Sequence, residues 1–238
     1  MSTSPKGKLY LIPTPIAEDS LYTIPPYVTE RLHQLKYFIA ERAKTARRFI
    51  KTTEPRYPIS ELHFFELNKR TSPEERNQFL DKVLEGQDMG LLSEAGCPGV
   101  ADPGAKIVAQ AHRLGIRVVP LVGPSSILLA LMASGMNGQS FAFHGYLSVK
   151  TPELIKDLKN LEQAARHGQT QLFIEAPYRN RNVVEQALKN LRPDTFFGIA
   201  MDLTAAEEYV RSLPIQRWQQ EKLPELHKRP AIFMVFKG

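Results

Sequence analysis

The sequence has very little cysteine and no long apolar segment, and both absences narrow the class of protein. Cys97 is the one cysteine among 238 residues, so no internal disulfide can form, and we expect a reducing, cytoplasmic location. No apolar run reaches the roughly 20 residues that cross a bilayer, so we expect no membrane-spanning helix and no membrane partner. The polar start, followed by an apolar stretch that Pro13 and Pro15 interrupt, is unlike a secretory signal.

Several catalytic signatures are also missing. The chain has no Walker phosphate loop and no Gly-x-Gly-x-x-Gly fingerprint after its first apolar run. It has no histidine pair at metal-ligand spacing, and Cys97 lacks a second thiol for a zinc site. With no histidine nearby, Cys97 suits a small loop residue better than a nucleophile. We therefore expect neither metal-dependent nor covalent catalysis.

The composition is that of an ordinary globular protein with a basic surface. Hydrophobic residues make up 42% of the chain and charged residues 24%. Lys and Arg number 31 against 25 Asp and Glu, which gives a net charge of +6. This excess allows an anionic partner such as RNA, but charges spread along the chain fit a soluble enzyme equally well.

Short apolar runs alternate with helical patterns in the first half. The runs predict strands at 8–12, 37–40, 63–67, 89–92 and 117–121. Helical patterns follow Pro26, Ala40, Ser72 and Asp102, and Ser72 is a helix cap with Pro73 in the first turn. Such alternation predicts a parallel sheet in a layered α/β fold, with a ligand site beyond the carboxyl ends of the strands.

The second half alternates less regularly. We predict strands at 141–143, 171–174, 196–201 and 231–236, and helices at 125–134, 151–166 and 179–191. A division near 121–123 separates an N-terminal α/β domain, residues 1–121, from a C-terminal α/β domain, residues 122–238. A cleft between two such domains is a common place for a small-molecule site.

Residues 92–104, LSEAGCPGVADPG, form the most informative segment. They join a buried strand to a helix and include three glycines and two prolines. Glycine lets the backbone approach a ligand closely, and proline fixes the shape of a loop. A tight connector with Asp102 as a helix cap is the simpler interpretation. The length favours a ligand-binding loop, because such turns usually span two to six residues.

Two further segments place polar groups just after predicted strands. Residues 120–127, PLVGPSSI, contain a Gly-Pro turn followed by Ser125 and Ser126, which can cap a helix or bind a polar ligand. Residues 173–179, FIEAPYR, contain Glu175 and Arg179. Glu175 could bind a ligand amine, but a surface ion pair with Arg179 is the more ordinary interpretation.

These loops, in this order, resemble the tetrapyrrole (corrin/porphyrin) methylase family, closest to its ribosomal RNA small-subunit (cytidine-2'-O)-methyltransferase branch. The similar segments are LYLIPTPI at the start, LSEAGCPGVADPG, PLVGPSS, FHGYL and IEAPYR. The resemblance runs from Leu9 to about Phe236. It implies two α/β domains with a cleft between them for S-adenosylmethionine, and a homodimer.

Carried over by position, the resemblance implies a set of cofactor contacts. They are Ile16, Ser93, Ala95, Gly96, Cys97, Val100, Ser125, Ser126, Ile127, Glu175, Ala176, Met201, Pro230 and Ala231. On the substrate side we expect Arg42 and Lys44, which could hold an anionic substrate, together with Asp202. Glu41 is the first candidate for the base that deprotonates an acceptor hydroxyl. Glu94, Asp202 and Glu207 are alternative bases, but Glu41 keeps its place in the resembled motif.

The sequence also departs from that branch. Residues 40–44 read AERAK, where the branch usually has Ala-Glu-Asp-Thr-Arg. Residues 201–205 read MDLTA, where the branch usually has Arg-Glu-Leu-Thr-Lys. We also expect no counterpart of the small C-terminal domain of that branch. The leading hypothesis is a methyltransferase that uses S-adenosylmethionine and acts on RNA ribose or another anionic acceptor. The alternative is a catalytically degenerate S-adenosylmethionine-binding sensor or RNA-associated protein.

Overall fold

The computed structural model describes residues 5–68 and 70–238. The chain divides into two compact units, the first ending at Ser125 and the second running from Ser126 to Gly238. The sequence predicts the division slightly earlier, after residue 121. Each unit has its own β-sheet and its own apolar core.

The sheet of the first unit is entirely parallel. Its strands are β1 (Lys8–Ile12), β2 (Tyr37–Ala40), β3 (His63–Glu66), β4 (Met89–Leu92) and β5 (Arg117–Pro120). They lie in the order β3-β2-β4-β1-β5, and every neighbouring pair is parallel. The predicted α/β class and parallel pairing are therefore confirmed for this half of the chain.

Helices pack on both faces of the first sheet. They are α1 (Pro26–Leu32), α2 (Ala43–Thr52), α3 (Pro73–Gln78), α4 (Asp81–Leu84) and α5 (Ala105–Arg113), and short 3-10 turns occupy Leu21–Thr23 and Ile59–Glu61. Successive residues of a strand point to opposite faces. Tyr10 therefore packs with Val28 of α1 on one face, while Leu9 packs with Ile107 of α5 on the other.

The helical pattern after Ser72 forms two short helices in the structure rather than one continuous helix. Ser72 does cap α3, since its Oγ accepts a hydrogen bond from Glu75 N at 3.1 Å. The helix then ends at Gln78, and α4 begins at Asp81. The break lets Phe79 and Leu80, both buried, enter the core in the connection between the two helices.

The second unit contains a mixed sheet. Its elements in chain order are α6 (Ser126–Ser134), β6 (Phe141–Tyr146), α7 (Thr151–Ala165), β7 (Thr170–Ile174), α8 (Asn180–Asn190), β8 (Phe196–Met201), β9 (Tyr209–Pro214), α9 (Ile215–Trp218) and β10 (Ala231–Phe236). The strand order is β6-β7-β10-β8-β9. Only β6 and β7 pair in parallel, and the other three pairings are antiparallel.

Strand β9 and helix α9 were not predicted from the sequence. The β9 residues YVRSLP mix polar and apolar types and end in a proline, so they do not form an apolar run. Tertiary contacts fix both elements instead. β9 pairs with β8 along six residues, and Trp218 of α9 is buried and donates from Nε1 to Phe197 O at 2.7 Å.

The core of the second unit lies mainly on one face of its sheet. Phe173, Phe197 and Phe233 stack there on neighbouring strands and pack with apolar residues of α7, α8 and α9. Helix α6 covers part of the opposite face. In the described part of the chain, no helix is long and apolar enough to cross a membrane.

Candidate active site

Three loops of the first unit converge at the carboxyl ends of β1, β4 and β5. The loop after β1 bonds to the loop after β4 through a pair of backbone hydrogen bonds, from Thr14 N to Gly96 O and from Gly96 N to Thr14 O, both 3.0 Å. The loop after β5 lies against the same glycine, because a Cβ placed on Gly96 would lie 3.3 Å from Pro124 O. This is the edge of the sheet where the sequence predicts a ligand site.

Glycine is required at two positions where these loops touch. Gly96 has a φ of +74°, which side chains rarely adopt. A Cβ on Gly123 would lie 2.2 Å from the ring of Pro13, so only glycine allows these two loops to approach so closely. The glycines of LSEAGCPG and LVGPSS therefore let neighbouring loops pack closely, Gly96 against a backbone carbonyl and Gly123 against the Pro13 ring.

Cys97 is a structural residue in this geometry. Its Sγ donates to Pro124 O at 3.4 Å, and burial raises the pKa of the thiol above its ordinary value. A thiol that stays protonated is a weak nucleophile. The contact supports the prediction that Cys97 is a loop residue.

Polar side chains brace the loop after β4 from within. Ser93 Oγ donates to Gly96 O at 2.8 Å. Asp102 Oδ1 accepts from Gly99 N and from Gly104 N, both at 2.8 Å. The simpler interpretation of this segment predicted Asp102 as the cap of α5, and this is wrong. The helix begins at Ala105, and its N-cap residue is Gly104. The carboxylate instead closes the turn before the helix.

The negative charge of Glu41 acts on Asp102 of this loop. Burial raises the pKa of Asp102, and the negative charge of Glu41 raises it further, while the two backbone N–H groups lower it. Glu41 follows β2, the strand beside β4. The structure therefore brings the predicted base to the same sheet edge as the glycine loop.

The predicted cofactor residues of the first unit surround Gly96. A Cβ on Gly96 would lie 3.9 Å from Ile16 Cγ1. Ala95 and Val100 are exposed, whereas Ser93 is buried beneath the loop. The side chains that shape the loop thus lie within it, and its outer residues remain accessible.

Arg42 and Lys44, the predicted substrate residues, lie at the start of α2 and are exposed. No capping hydrogen bond comes from the Arg42 side chain. Glu66, which ends β3, accepts from Ala43 N at 2.8 Å instead. A carboxylate at a helix N-terminus interacts favourably with the helix dipole, so Glu66 holds the turn that carries both basic residues.

Glu175 and Arg179 form a buried ion pair in the second unit, so the favoured interpretation of a surface pair is wrong. Glu175 Oε2 lies 3.2 Å from Arg179 Nη1, with side chains only 2% and 12% exposed. Glu175 Oε1 also accepts from the backbone N of the next residue, Ala176, at 2.7 Å. Arg179 Nη2 also donates hydrogen bonds to the carbonyl oxygens of Ser148 and Val149. The pair ties the loop after β7 to the loop after β6.

The remaining predicted residues of the second unit meet at one edge of its sheet. Met201 pairs with Ala231 across β8 and β10, and Asp202 N donates to Pro230 O at 3.1 Å. The Met201 side chain is fully buried in the core, so any ligand contact there would use its backbone. Asp202 accepts from Arg229 Nε, and this partner was not foreseen from the sequence.

Ser125, Ser126 and Ile127 span the division between the units. Ser126 is the first residue of α6, and Ile127 packs partly into the core of the second unit. Their roles as cofactor contacts stay predictions. In residues 5–68 and 70–238, no cluster of three or more His, Cys, Asp or Glu side chains could hold a metal ion.

The sequence analysis missed three residues that hold predicted site residues or their loops in place within their own units: Thr14, Glu66 and Arg229. Thr14 lies in the LYLIPTPI segment that carries the resemblance, which is a signal that could have found it. Glu66 and Arg229 act on partners 23 and 27 residues away. No local spacing rule connects residues so far apart.

The fold and these loops define the class of the protein. The sequence model of the tetrapyrrole (corrin/porphyrin) methylases matches residues 8–218. The chain belongs to this family, as predicted, and is a methyltransferase.

Its curated relatives are bacterial enzymes named ribosomal RNA small subunit methyltransferase I. The Pseudomonas aeruginosa protein is 33% identical over 214 residues, which cover 88% of this chain and 71% of that protein. The Bacillus subtilis protein is 32% identical over 211 residues, covering 87% and 68%. The Escherichia coli O157:H7 protein is 30% identical over 236 residues, covering 98% and 78%.

Solved structures share the fold. The methyltransferase CobJ aligns with a TM-score of 0.65 at 18% identity, covering 98% of this chain and 95% of that one. A uroporphyrin-III-C-methyltransferase from Thermus thermophilus aligns with a TM-score of 0.55 at 17% identity, covering 97% and 92%. At such identities the likeness concerns the fold alone.

Proposed function

We propose that this protein transfers a methyl group from S-adenosylmethionine to a ribose hydroxyl of RNA. The observation that carries the proposal is the convergence of three strand-end loops on Gly96 in a chain of the methylase family. The names of the relatives favour ribosomal RNA as the acceptor. The net charge of +6 suits such a polyanion.

The loop after β4 fits a ligand held largely by backbone groups. Ser93 and Asp102 satisfy their hydrogen bonds inside the loop, whereas Ala95 and Val100 are exposed. Gly96 leaves the backbone bare at the point of closest approach. Bound S-adenosylmethionine would supply a methyl group that its sulfonium already activates.

The residues around this loop have separate tasks in the proposed reaction. Glu41 takes the proton of the ribose hydroxyl. Arg42 and Lys44, exposed on the first turn of α2, hold RNA phosphates. Correct placement of the two reactants then supplies much of the rate.

Calorimetric titration with S-adenosylmethionine tests cofactor binding. Gly96→Ala should weaken binding roughly tenfold, because a side chain at this positive φ is strained by about 1–2 kcal/mol and its Cβ crowds Pro124 O, so the loop backbone has to move. Gly138→Ala is the matched control, since a Cβ there meets nothing within 4 Å. Equal affinity in both variants would contradict the proposed cofactor loop.

Methyl transfer tests the reaction itself. RNA from a strain lacking the protein should accept labelled methyl groups at a ribose, and Glu41→Gln should lower kcat by roughly a hundredfold or more without changing cofactor affinity. Glu94→Gln is the matched control, because Glu94 is an alternative base in the loop after β4. Cofactor binding without transfer to any RNA would favour the degenerate sensor.

We also propose a homodimer, and helix α6 supports it. Its sequence, SILLALMAS, has no charged residue on any side, and helices that are apolar all round are normally buried. Met132 nevertheless has 78% of its surface exposed. A second copy of the chain would cover this side of α6.

A cytoplasmic location completes the proposal. It is supported by the single cysteine, since a chain with one thiol has no internal disulfide to preserve. It also matches an RNA acceptor. Cell fractionation with an antibody against the protein would test it, and recovery in a membrane or secreted fraction would contradict it.

A further inference from the structure

A cavity of about 340 Å³ lies on the first unit, along the edge strand β5 and the residue that follows it, from Arg117 to Leu121. Residues of β1, α1 and the edge strand β5 line it. It lies on the face of the sheet that α1 covers, opposite α5, because Tyr10 packs with α1 and its neighbour Leu9 packs with α5. Its volume is within the range of small-ligand pockets.

Three cations line this cavity. Lys8 of β1 lies directly beside Arg117 of β5 in the parallel register, and Arg31 of α1 is the third. Like charges side by side on neighbouring strands cost stability. Among the described residues, the ion pairs include none of these three, and Glu30 is the one lining carboxylate. A bound anion would relieve the repulsion.

Arg31 is held in place before any ligand arrives. Its guanidinium lies 5.0 Å from the centroid of the Tyr10 ring and donates from Nη1 to Gln34 Oε1. The ring and the amide fix the plane of the guanidinium while other N–H groups remain for a ligand. An oriented guanidinium matches the paired oxygens of a phosphate better than a mobile ammonium does.

An exposed aromatic ring also borders the cavity. Tyr27 is 47% exposed, and its hydroxyl accepts from Val122 N at 3.0 Å. The hydrogen bond anchors the tip of the side chain, so its ring stands in a defined place beside the cations. Flat, accessible rings next to positive charge are the elements that bind bases of single-stranded nucleic acid.

We propose that this cavity binds one nucleotide of a single-stranded RNA segment. Lys8, Arg31 and Arg117 receive its phosphate, and Tyr27 stacks on its base. The inference deepens the proposed function, on which it rests for the choice of RNA, by adding an RNA-docking site along β5. A carboxylate ligand would use the charges but would leave the aromatic ring without a role.

Fluorescence anisotropy with a labelled single-stranded oligoribonucleotide tests the site. Arg31→Gln and Arg117→Gln should each weaken binding by roughly fivefold or more. Each should also reduce the slope of log affinity against log salt by about 0.7 for every phosphate that the protein no longer neutralises. Arg113→Gln is the matched control, since Arg113 lies exposed on α5 on the other side of the sheet.

Tyr27 variants separate stacking from a structural role. Tyr27→Ala should weaken binding by roughly tenfold, because stacking contributes about 1–3 kcal/mol per base. Tyr27→Phe keeps the ring, loses the bond to Val122 N, and should retain most of the affinity. Thermal unfolding of each variant identifies any loss that reflects misfolding, and Tyr27→Phe binding as poorly as Tyr27→Ala would overturn the stacking assignment.

The outcomes separate this proposal from the proposed function. Unchanged RNA affinity in Arg31→Gln and Arg117→Gln overturns the docking site, even if the enzyme methylates RNA. Pocket-dependent RNA binding supports the site, even if no methyl transfer is found. Equal, pocket-dependent binding of a free mononucleotide or of polyglutamate would overturn the assignment to an RNA strand.

Discussion

At the residue scale, Asp102 shows how one carboxylate can shape a loop. Its Oδ1 accepts two backbone hydrogen bonds, from Gly99 and Gly104, and these close the turn that precedes α5. Burial and the nearby charge of Glu41 oppose its ionisation. Asp102 therefore stabilises the fold as a hydrogen-bond acceptor, whereas its negative charge destabilises the fold.

Substitutions at Asp102 should separate these two properties. Asp102→Ala leaves two N–H groups without their acceptor and should lower the free energy of unfolding by about 1–3 kcal/mol. Asp102→Asn keeps an acceptor oxygen and removes the charge, so at pH 7 it should be at least as stable as the wild type. Urea unfolding followed by circular dichroism measures both.

The pH dependence follows from the raised pKa of Asp102. The carboxyl of Asp102 binds its proton more tightly in the folded state than in the unfolded state. The contribution of Asp102 to the free energy of unfolding therefore falls as the pH rises from the ordinary pKa of 3.8 through the higher pKa of the folded state. The advantage of Asp102→Asn over the wild type should therefore shrink as pH falls through that window. An advantage that grows at low pH would refute this account.

At the element scale, helix α2 depends on a neighbouring strand for its N-terminus. Ala43 N donates to Glu66 Oε1, and Glu66 ends β3, which pairs with β2 directly before the helix. Removing the carboxylate leaves an N–H group without its partner at the positive end of the helix dipole. The turn that carries Arg42 and Lys44 would then fray.

Glu66→Ala should destabilise the start of α2 by about 1 kcal/mol. Hydrogen exchange at the amides of Ala43, Lys44 and Thr45 should become roughly fivefold faster, while exchange in α5 stays unchanged. Glu74→Ala is the matched control, because Glu74 is exposed on α3. Faster exchange throughout the first unit would instead indicate global destabilisation.

At the scale of the whole molecule, the proposed dimer can be tested through α6. Met132→Glu places a charge on the exposed apolar side of the helix, where desolvation in an interface would be costly. Light scattering after size exclusion should show a dimer for the wild type and a monomer for the variant. Val149 is 73% exposed in the same unit, and Val149→Glu should remain dimeric. A wild type that is monomeric at all concentrations would contradict the proposal.

The sequence by itself determined the strands of the first unit, the α/β class and the family. Apolar runs such as YFIA at 37–40 and MGLL at 89–92 match the observed strands, because a buried strand needs a continuous apolar segment. The segments LSEAGCPGVADPG and LVGPSS carried the family resemblance. Their glycines were informative because loops can pack this closely only where a side chain is absent.

Only the tertiary structure decided how distant residues combine. Strand β9 and helix α9 form through pairing with β8 and burial of Trp218, which no local pattern encodes. Glu66 reaches Ala43, and Lys8 lies beside Arg117, across long stretches of chain. Periodicity reports which face of an element is apolar, whereas ion pairs, caps and cavities depend on which elements become neighbours.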